Sequence, residues 1–243
     1  MLRLVVAAQK GGAGKTTVAV NLAGAMAALG RRLLVIDSDP QGAAASALGV
    51  SPGKPTLYEV LTGAAELREA IVSSATPGLA LLPSDLDLAG AEVELPALPD
   101  WQHALARRLA ALEPYCDVAV IDTPPGLGVL SYTAMQAATA VVVVCPLEFL
   151  AVRSLPYLQE TTARAGLRIL GIVPTMTSSS TRHAREAAEA LREAHGELLL
   201  PPIPRRVALQ DAALAGQPIT EFQPTGDAAA AFLALAKEVL NRG

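Results

Sequence analysis

The segment Gln9-Lys-Gly-Gly-Ala-Gly-Lys-Thr-Thr17 constrains this chain more than any other part of it. A β-branched run, Leu2–Ala8, leads directly into the segment, and a helical pattern, Lys15–Leu29, leads directly out of it. A glycine loop in that setting is a phosphate cradle. Its backbone N–H groups point inward, and the helix N-terminus adds a partial positive charge. Gly11, Gly12 and Gly14 let the backbone curl around an anion without a Cβ in the way. Ala13 and Thr17 complete the loop. Lys15 supplies a point charge for β- and γ-phosphates, and the Thr16 hydroxyl supplies a ligand for Mg²⁺. The bland alternative is a glycine-rich turn with no ligand.

Around this loop, short β-branched runs alternate with Ala/Leu-rich helical stretches. That is the pattern of an α/β fold, a doubly wound and mostly parallel sheet with helices on both faces. Strands are expected at Leu2–Ala8, Arg32–Asp37, Leu79–Leu82, Val118–Asp122, Ala140–Cys145 and Arg168–Val173. Helices are expected at Lys15–Leu29, Pro99–Leu112, Ser131–Ala138, Leu155–Ala165, Thr181–Ala194 and Gly226–Asn241. Val141–Val144 is apolar throughout, as a central strand buried on both faces requires. Prolines cluster between Pro77 and Pro99, but the stretch stays hydrophobic and has no Gly/Ser-rich linker, so residues 1–243 are expected to form a single domain.

Composition removes several function classes. Charged residues are 17% and apolar residues 51%, which excludes a disordered chain. No apolar run reaches the roughly 18 residues needed to span a bilayer. Leu2–Ala8 flows straight into the glycine loop, so it is not a signal peptide. Cys116 and Cys145 stand alone, without metal spacing or a disulfide framework, and are expected as reduced cytosolic thiols. A net charge of −4 excludes a generally basic surface but not a local basic patch.

Two further segments carry acids at strand ends. Val35-Ile-Asp-Ser-Asp-Pro-Gln-Gly42 puts Asp37 and Asp39 at the C-terminal edge of the second strand, the edge where open α/β sheets bind ligands. Val118-Ala-Val-Ile-Asp-Thr-Pro-Pro-Gly126 has four apolar residues, then Asp122, then a proline-stiffened turn, the form of a Walker B segment holding Mg²⁺ through water. Taken singly, Asp37 and Asp39 also read as turn or cap residues, and Asp122 as a strand-ending acid.

Lys10-Gly-Gly-x-Gly-Lys-Thr-Thr17 lacks the Gly of an ordinary Walker motif at position 9 and carries an additional lysine. In this it resembles the deviant Walker A (SIMIBI) class of P-loop NTPases, the ParA/MinD superfamily. The resemblance implies an ATPase using ATP/ADP and Mg²⁺, with Lys10, Lys15 and Asp39 catalytic. Lys10 would cross to the partner's ATP in an ATP-dependent homodimer, Asp39 would position the attacking water, and Thr16, Asp37 and Asp122 would serve the metal. Extra positive charge suits an anionic transition state.

Resemblance to the ParA/Soj branch extends along the chain. It rests on Gly78-Leu-Ala-Leu-Leu-Pro83 with Asp87-Leu-Ala-Gly-Ala-Glu92, on Pro146-Leu-Glu-Phe-Leu-Ala151, on Ile203-Pro-Arg-Arg-Val-Ala-Leu209, and on the pair Gly216-Gln-Pro-Ile219 and Ala236-Lys-Glu-Val239. Arg206 replaces the usual Asn, and Thr175-Met-Thr-Ser-Ser-Ser180 lacks the usual acid, both near the adenine pocket that Met176, Pro204 and Arg205 are implied to line. The branch implies nonspecific binding to duplex DNA, a ParB-type centromere-binding partner, and a cytoplasmic, nucleoid-associated location. Candidate DNA contacts are Arg182, Arg185, Arg192, Arg205 and Arg206. Helical spacing brings the first three roughly onto one face, although Glu186, Glu189 and Glu193 would balance them as an ordinary solvated face.

Alternatives of the same fold are a MinD-like or cargo-positioning regulator and an ATP-dependent metabolic enzyme such as a dethiobiotin synthetase. The chain is expected not to bind membrane, since it ends after an ordinary packing helix rather than an amphipathic anchor. No cluster-ligating cysteines follow the Walker B segment, and specific operator binding through a helix-turn-helix segment ahead of the glycine loop is not expected.

Overall fold

The computed structural model describes residues 1–177 and 182–243, apart from the side chains of Phe149, Arg182, His183 and Ala184. Seven segments pair into one sheet: β1 (Leu2–Ala7), β2 (Leu33–Asp37), β3 (Val72–Ser73), β4 (Leu79–Leu82), β5 (Val118–Asp122), β6 (Ala140–Pro146) and β7 (Arg168–Thr175). Their order is β3-β4-β2-β5-β1-β6-β7. Every pairing is parallel except β3 with β4, where Val72 faces Leu81. The α/β reading therefore holds, with one short antiparallel edge strand that the sequence did not announce.

The helices are α1 (Lys15–Ala28), α2 (Ala43–Ala47), α3 (Leu57–Thr62), α4 (Leu67–Ala70), α5 (Leu88–Glu94), α6 (Ala104–Leu109), α7 (Val129–Ala137), α8 (Phe149–Arg164), α9 (Arg182–His195), α10 (Val207–Leu214), α11 (Ile219–Phe222) and α12 (Asp227–Arg242). Strand alternation divides them into two layers. Leu4, Val6, Val35, Val120 and Val142 pack against α1, α2, α10, α11 and α12. Val5, Ala7, Ile36, Ile121 and Val143 pack against α3 to α9.

Helix α1 has no polar face along most of its length. Val18, Ala19, Val20, Leu22, Ala23, Ala25 and Met26 are each no more than 1% exposed. Such a helix must be covered on all sides. The sheet covers one side of α1, while α11 and α12 cover another. The approach is close. A Cβ on Gly24 would lie 2.4 Å from Pro218 Cβ, so only glycine admits α11 here. Asn21 secures the same junction, accepting the Ile219 N–H at 2.6 Å and donating to the Thr17 carbonyl at 2.9 Å.

Two of the expected helices take a different form. Helix α8 runs through Pro156 from Phe149, although the proline suggests a start near Leu155. Pro156 costs one hydrogen bond, but burial of Ala151, Leu155 and Leu158 favours the longer helix. The single helix expected over Pro99–Leu112 is broken into a 3-10 turn (Trp101–His103), α6 and a second 3-10 turn (Ala110–Leu112).

Candidate functional site

The parallel strands bring the ends of β1, β2, β5 and β6 to one edge, and the glycine loop leaves β1 at the middle of that edge. Gly12 and Gly14 have φ of 73° and 90°, values that favour glycine, and Gly14 caps α1 directly. No side chain caps α1 and no acid occupies its first turn. The positive end of the helix therefore stays open to an external anion. Lys15 is buried at 7% exposure inside the loop. Thr175 at the end of β7 donates its hydroxyl to the Ala13 carbonyl at 3.1 Å, tying the loop to a strand the motif does not include. A Cβ on Gly11 would lie 3.8 Å from Pro125 Cβ, so the glycine loop and the turn after β5 lie side by side.

Asp37 and Asp122 are register partners at the ends of β2 and β5, and neither is exposed to solvent. Asp37 accepts the backbone N–H groups of Asp39 and Ala44, each at 3.0 Å. Burial nevertheless pushes its carboxyl up to about 6, against the pull of those donors. Asp122 rises further, to about 8, through burial and then the charge of Asp37. Its Oδ2 accepts the Thr16 hydroxyl at 2.5 Å, while Oδ1 is buried without a hydrogen-bond partner.

An unpartnered carboxylate oxygen, a second buried carboxylate and a hydroxyl form a hard oxygen set of the kind Mg²⁺ takes. The residues fit the ion on that ground. Among the described residues no group of three or more His, Cys, Asp or Glu could hold a metal. A cation here would need phosphate oxygens and water to complete its shell, which ties metal binding to nucleotide binding.

Asp39 is half-buried, in a turn between β2 and α2. Its carboxylate accepts the Gln41 N–H at 3.0 Å. Its carbonyl accepts both the Gly42 N–H at 3.0 Å and the Ser84 hydroxyl at 2.5 Å. Lys10 turns toward its own chain: Nζ lies 3.0 Å from Glu148 Oε2, just past β6. Sequence reasoning noted Glu148 only as part of Pro146–Ala151 and gave it no role. The pairing of β1 with β6 is what brings the two together.

The implied base-binding residues do converge. Thr177 bridges to Pro204, donating its N–H to Ile203 and accepting from Arg205 N–H, and this brings Met176, Pro204 and Arg205 side by side. Met176 adopts φ 53° and is 38% exposed. Residues 178–180 of the Thr-Met segment lie outside the described residues.

The candidate DNA contacts divide. Arg185 and Arg192 are exposed on α9, Arg205 is exposed, and the Arg182 side chain lies outside the described residues. Arg206 departs from expectation. It grips Asp227 at the start of α12, with Nε 2.8 Å from Oδ2, and this holds the Asp227 carboxyl below its usual range. Arg205 and Arg206 are thus not a free basic pair. Among the described residues no helix is long and apolar enough to cross a membrane.

The AAA domain family model matches residues 1–169. The chain is 39% identical over 251 residues to the chromosome partitioning protein ParA of Caulobacter vibrioides, covering 98% of this chain and 94% of that one. It is 40% identical over 247 residues to the chromosome-partitioning ATPase Soj of Thermus thermophilus, covering 99% and 96%. The fold matches the crystal structure of cobyrinic acid a,c-diamide synthase from Mycobacterium smegmatis with bound ADP and magnesium. That match has a TM-score of 0.85 and 35% identity, and covers 99% of this chain and 94% of that chain.

Proposed function

The chain belongs to the ParA/Soj family of chromosome-partitioning ATPases, and we propose that it works as a single-domain switch, residues 1–243, that dimerises on ATP. One observation carries this reading: the glycine loop, Lys10, and the acids Asp37, Asp39 and Asp122 meet at one sheet edge. Gly11, Gly12, Ala13, Gly14, Lys15, Thr16 and Thr17 bind the phosphates. Met176, Pro204 and Arg205 bind the base. Magnesium, held by Thr16 and by Asp122 and Asp37, would neutralise charge on the phosphates. Asp39 orients the water that attacks the γ-phosphorus, giving ADP and phosphate. Lys15, with Lys10 of the second subunit, balances the charge that builds on the phosphoryl oxygens.

Because a cation must come from another protomer, the monomer hydrolyses ATP slowly, and a ParB-type partner stimulates the dimer. The ATP dimer binds duplex DNA without sequence preference through Arg185, Arg192 and Arg205, with Arg182 on the same helix. It works in the cytoplasm on nucleoid DNA. Two protomers double the phosphate contacts, which offsets the net charge of −4.

Light scattering tests the core of this. Wild type is expected to be monomeric with ADP and dimeric with Mg²⁺ and a non-hydrolysed ATP analogue. Lys10→Ala binds nucleotide and stays monomeric, Lys15→Ala loses nucleotide, and Asp39→Ala binds ATP without turning it over and accumulates as dimer. A dimer equally stable without nucleotide would refute the switch. It would favour a second reading, an amide-forming metabolic enzyme, for which the Mycobacterium smegmatis likeness speaks. On that reading a small carboxylate, and not DNA with a protein activator, raises turnover.

A further inference from the structure

We propose that Ser84 is a positioning residue for Asp39, and that Lys54 fixes the loop from which Ser84 acts. This rests on the reading of Asp39 as the carboxylate that orients water. Ser84 follows β4 and is only 2% exposed. Its hydroxyl donates to the Asp39 carbonyl at 2.5 Å. The same carbonyl accepts the Gly42 N–H, so both of its lone pairs are used. Gly42 itself sits against Ser84, since a Cβ there would lie 3.3 Å from the Ser84 carbonyl oxygen. The turn carrying Asp39 is thereby braced on one side by its own Asx geometry and on the other by a residue 45 positions away.

A brace positions only if it is itself held. Upstream, Pro83 accepts the Leu57 N–H at 2.8 Å. Downstream, Lys54 reaches three carboxylates at once: Asp85 and Asp87 at 2.7 Å and Glu59 at 2.8 Å. Glu59 is fixed in turn by the capping box with Thr56 at the start of α3. A single exposed ion pair would contribute little, but a network of three on one ammonium restrains a loop. The chain has four lysines; two lie in the phosphate loop, and Lys54 is the one that carries this clamp. Without it, three carboxylates would face one another beside the loop that holds Asp39.

The link runs from Lys54 through Asp85 to the adjacent Ser84 and on to Asp39, and none of Lys54, Asp85 and Ser84 belongs to the phosphate loop. Loss of Ser84 Oγ leaves the Asp39 carbonyl still bonded to Gly42, and the Asp37 carboxyl, on which the same hydroxyl also acts, still accepts the Asp39 and Ala44 N–H groups, so the turn keeps its partners while its aim loosens. Misplacement of a positioned group lowers turnover rather than binding.

The experiment measures basal ATP turnover, the affinity for a fluorescent ATP analogue, and thermal unfolding of the full chain, with Asp39→Ala run alongside. Ser84→Ala is expected to lower kcat by about 5- to 20-fold with analogue affinity within about twofold of wild type. Lys54→Met is expected to lower kcat by about threefold, also without change in affinity, and Lys54→Arg to recover it. Wild-type turnover in Ser84→Ala, beside a dead Asp39→Ala, overturns the role of Ser84 and leaves Asp39 standing. Equal loss of binding and turnover in Ser84→Ala overturns it as well, since that marks a general structural role. Wild-type turnover in Lys54→Met overturns the Lys54 link. Wild-type turnover in Asp39→Ala removes the premise instead.

Discussion

Replacing Glu148 with Gln is expected to tighten ATP-dependent dimerisation. In the structure Lys10 is held by its own chain, 3.0 Å from Glu148, yet on the proposed mechanism it must reach the partner's nucleotide. The intrachain pair therefore competes with the dimer. Its strength is limited by water, for the two side chains are 59% and 54% exposed. Exposed pairs of this kind contribute about 0.2–1 kcal/mol. A symmetrical dimer must release two of them, about 0.4–2 kcal/mol in all. At about 1.4 kcal/mol per factor of ten, Glu148→Gln should lower the dimer Kd by about 2- to 30-fold. Sedimentation velocity with Mg²⁺ and a non-hydrolysed ATP analogue reads this directly. The gain should shrink as salt rises from about 0.05 M to about 0.5 M, because screening already weakens the pair in wild type. Nucleotide affinity of the monomer should not move. A Glu148→Gln dimer no tighter than wild type at low salt would refute the competition.

Other outcomes follow from single contacts. Arg192→Glu should remove one phosphate contact per protomer and reduce the salt slope of DNA binding by about 1.8 for the dimer; Arg206→Glu should instead lower thermal stability, because it breaks the Asp227 pair, and the reverse pattern would contradict the assignment. Asp117 is held at about 2 by the Arg32 side chain and backbone N–H. A depressed carboxyl contributes stability above its unfolded value of about 4, and loses it as pH falls toward 2. Asp117→Asn should cost up to about 1 kcal/mol at pH 7 after screening, and the gap in urea midpoint should close progressively as pH falls from about 4 toward about 2; a gap independent of pH would show that the ion pair is not its source. Gly24→Ala should gain up to about 1 kcal/mol of helix propensity but overpack against Pro218 by about 1–3 kcal/mol. Calorimetry should show an unchanged or lower Tm, and a clear rise would mean that α11 yields easily.

The parts of the site legible in the sequence are those where chemistry and local geometry coincide. The glycine loop is contiguous, and Asp37 and Asp122 each end an unbroken apolar run, so strand direction alone assigns them to one edge. Ser84, Glu148 and Thr175 were not legible. Each acts on a residue distant in the chain, through a strand order that periodicity does not encode. The short helices α2, α3, α4 and α11 were missed because fewer than two turns leave no repeat to read. Likewise β3 has two residues and no alternation. Arg206 misled because a pair of adjacent arginines says nothing of Asp227, 21 positions on.

The central position of β1 also governs how the molecule is made. Its neighbours are β5 and β6, so Leu2–Ala7 has no partner strand until residues 118–146 exist. The phosphate loop leaves the ribosome before either strand that frames it. Thr175, which ties down Ala13, arrives later still. Contacts spanning more than a hundred residues carry a large loop-closure cost and fold slowly. A nascent chain thus holds every residue of its phosphate cradle long before it can hold phosphate. Once the late strands dock, nucleotide binds the folded form alone and draws the equilibrium toward it.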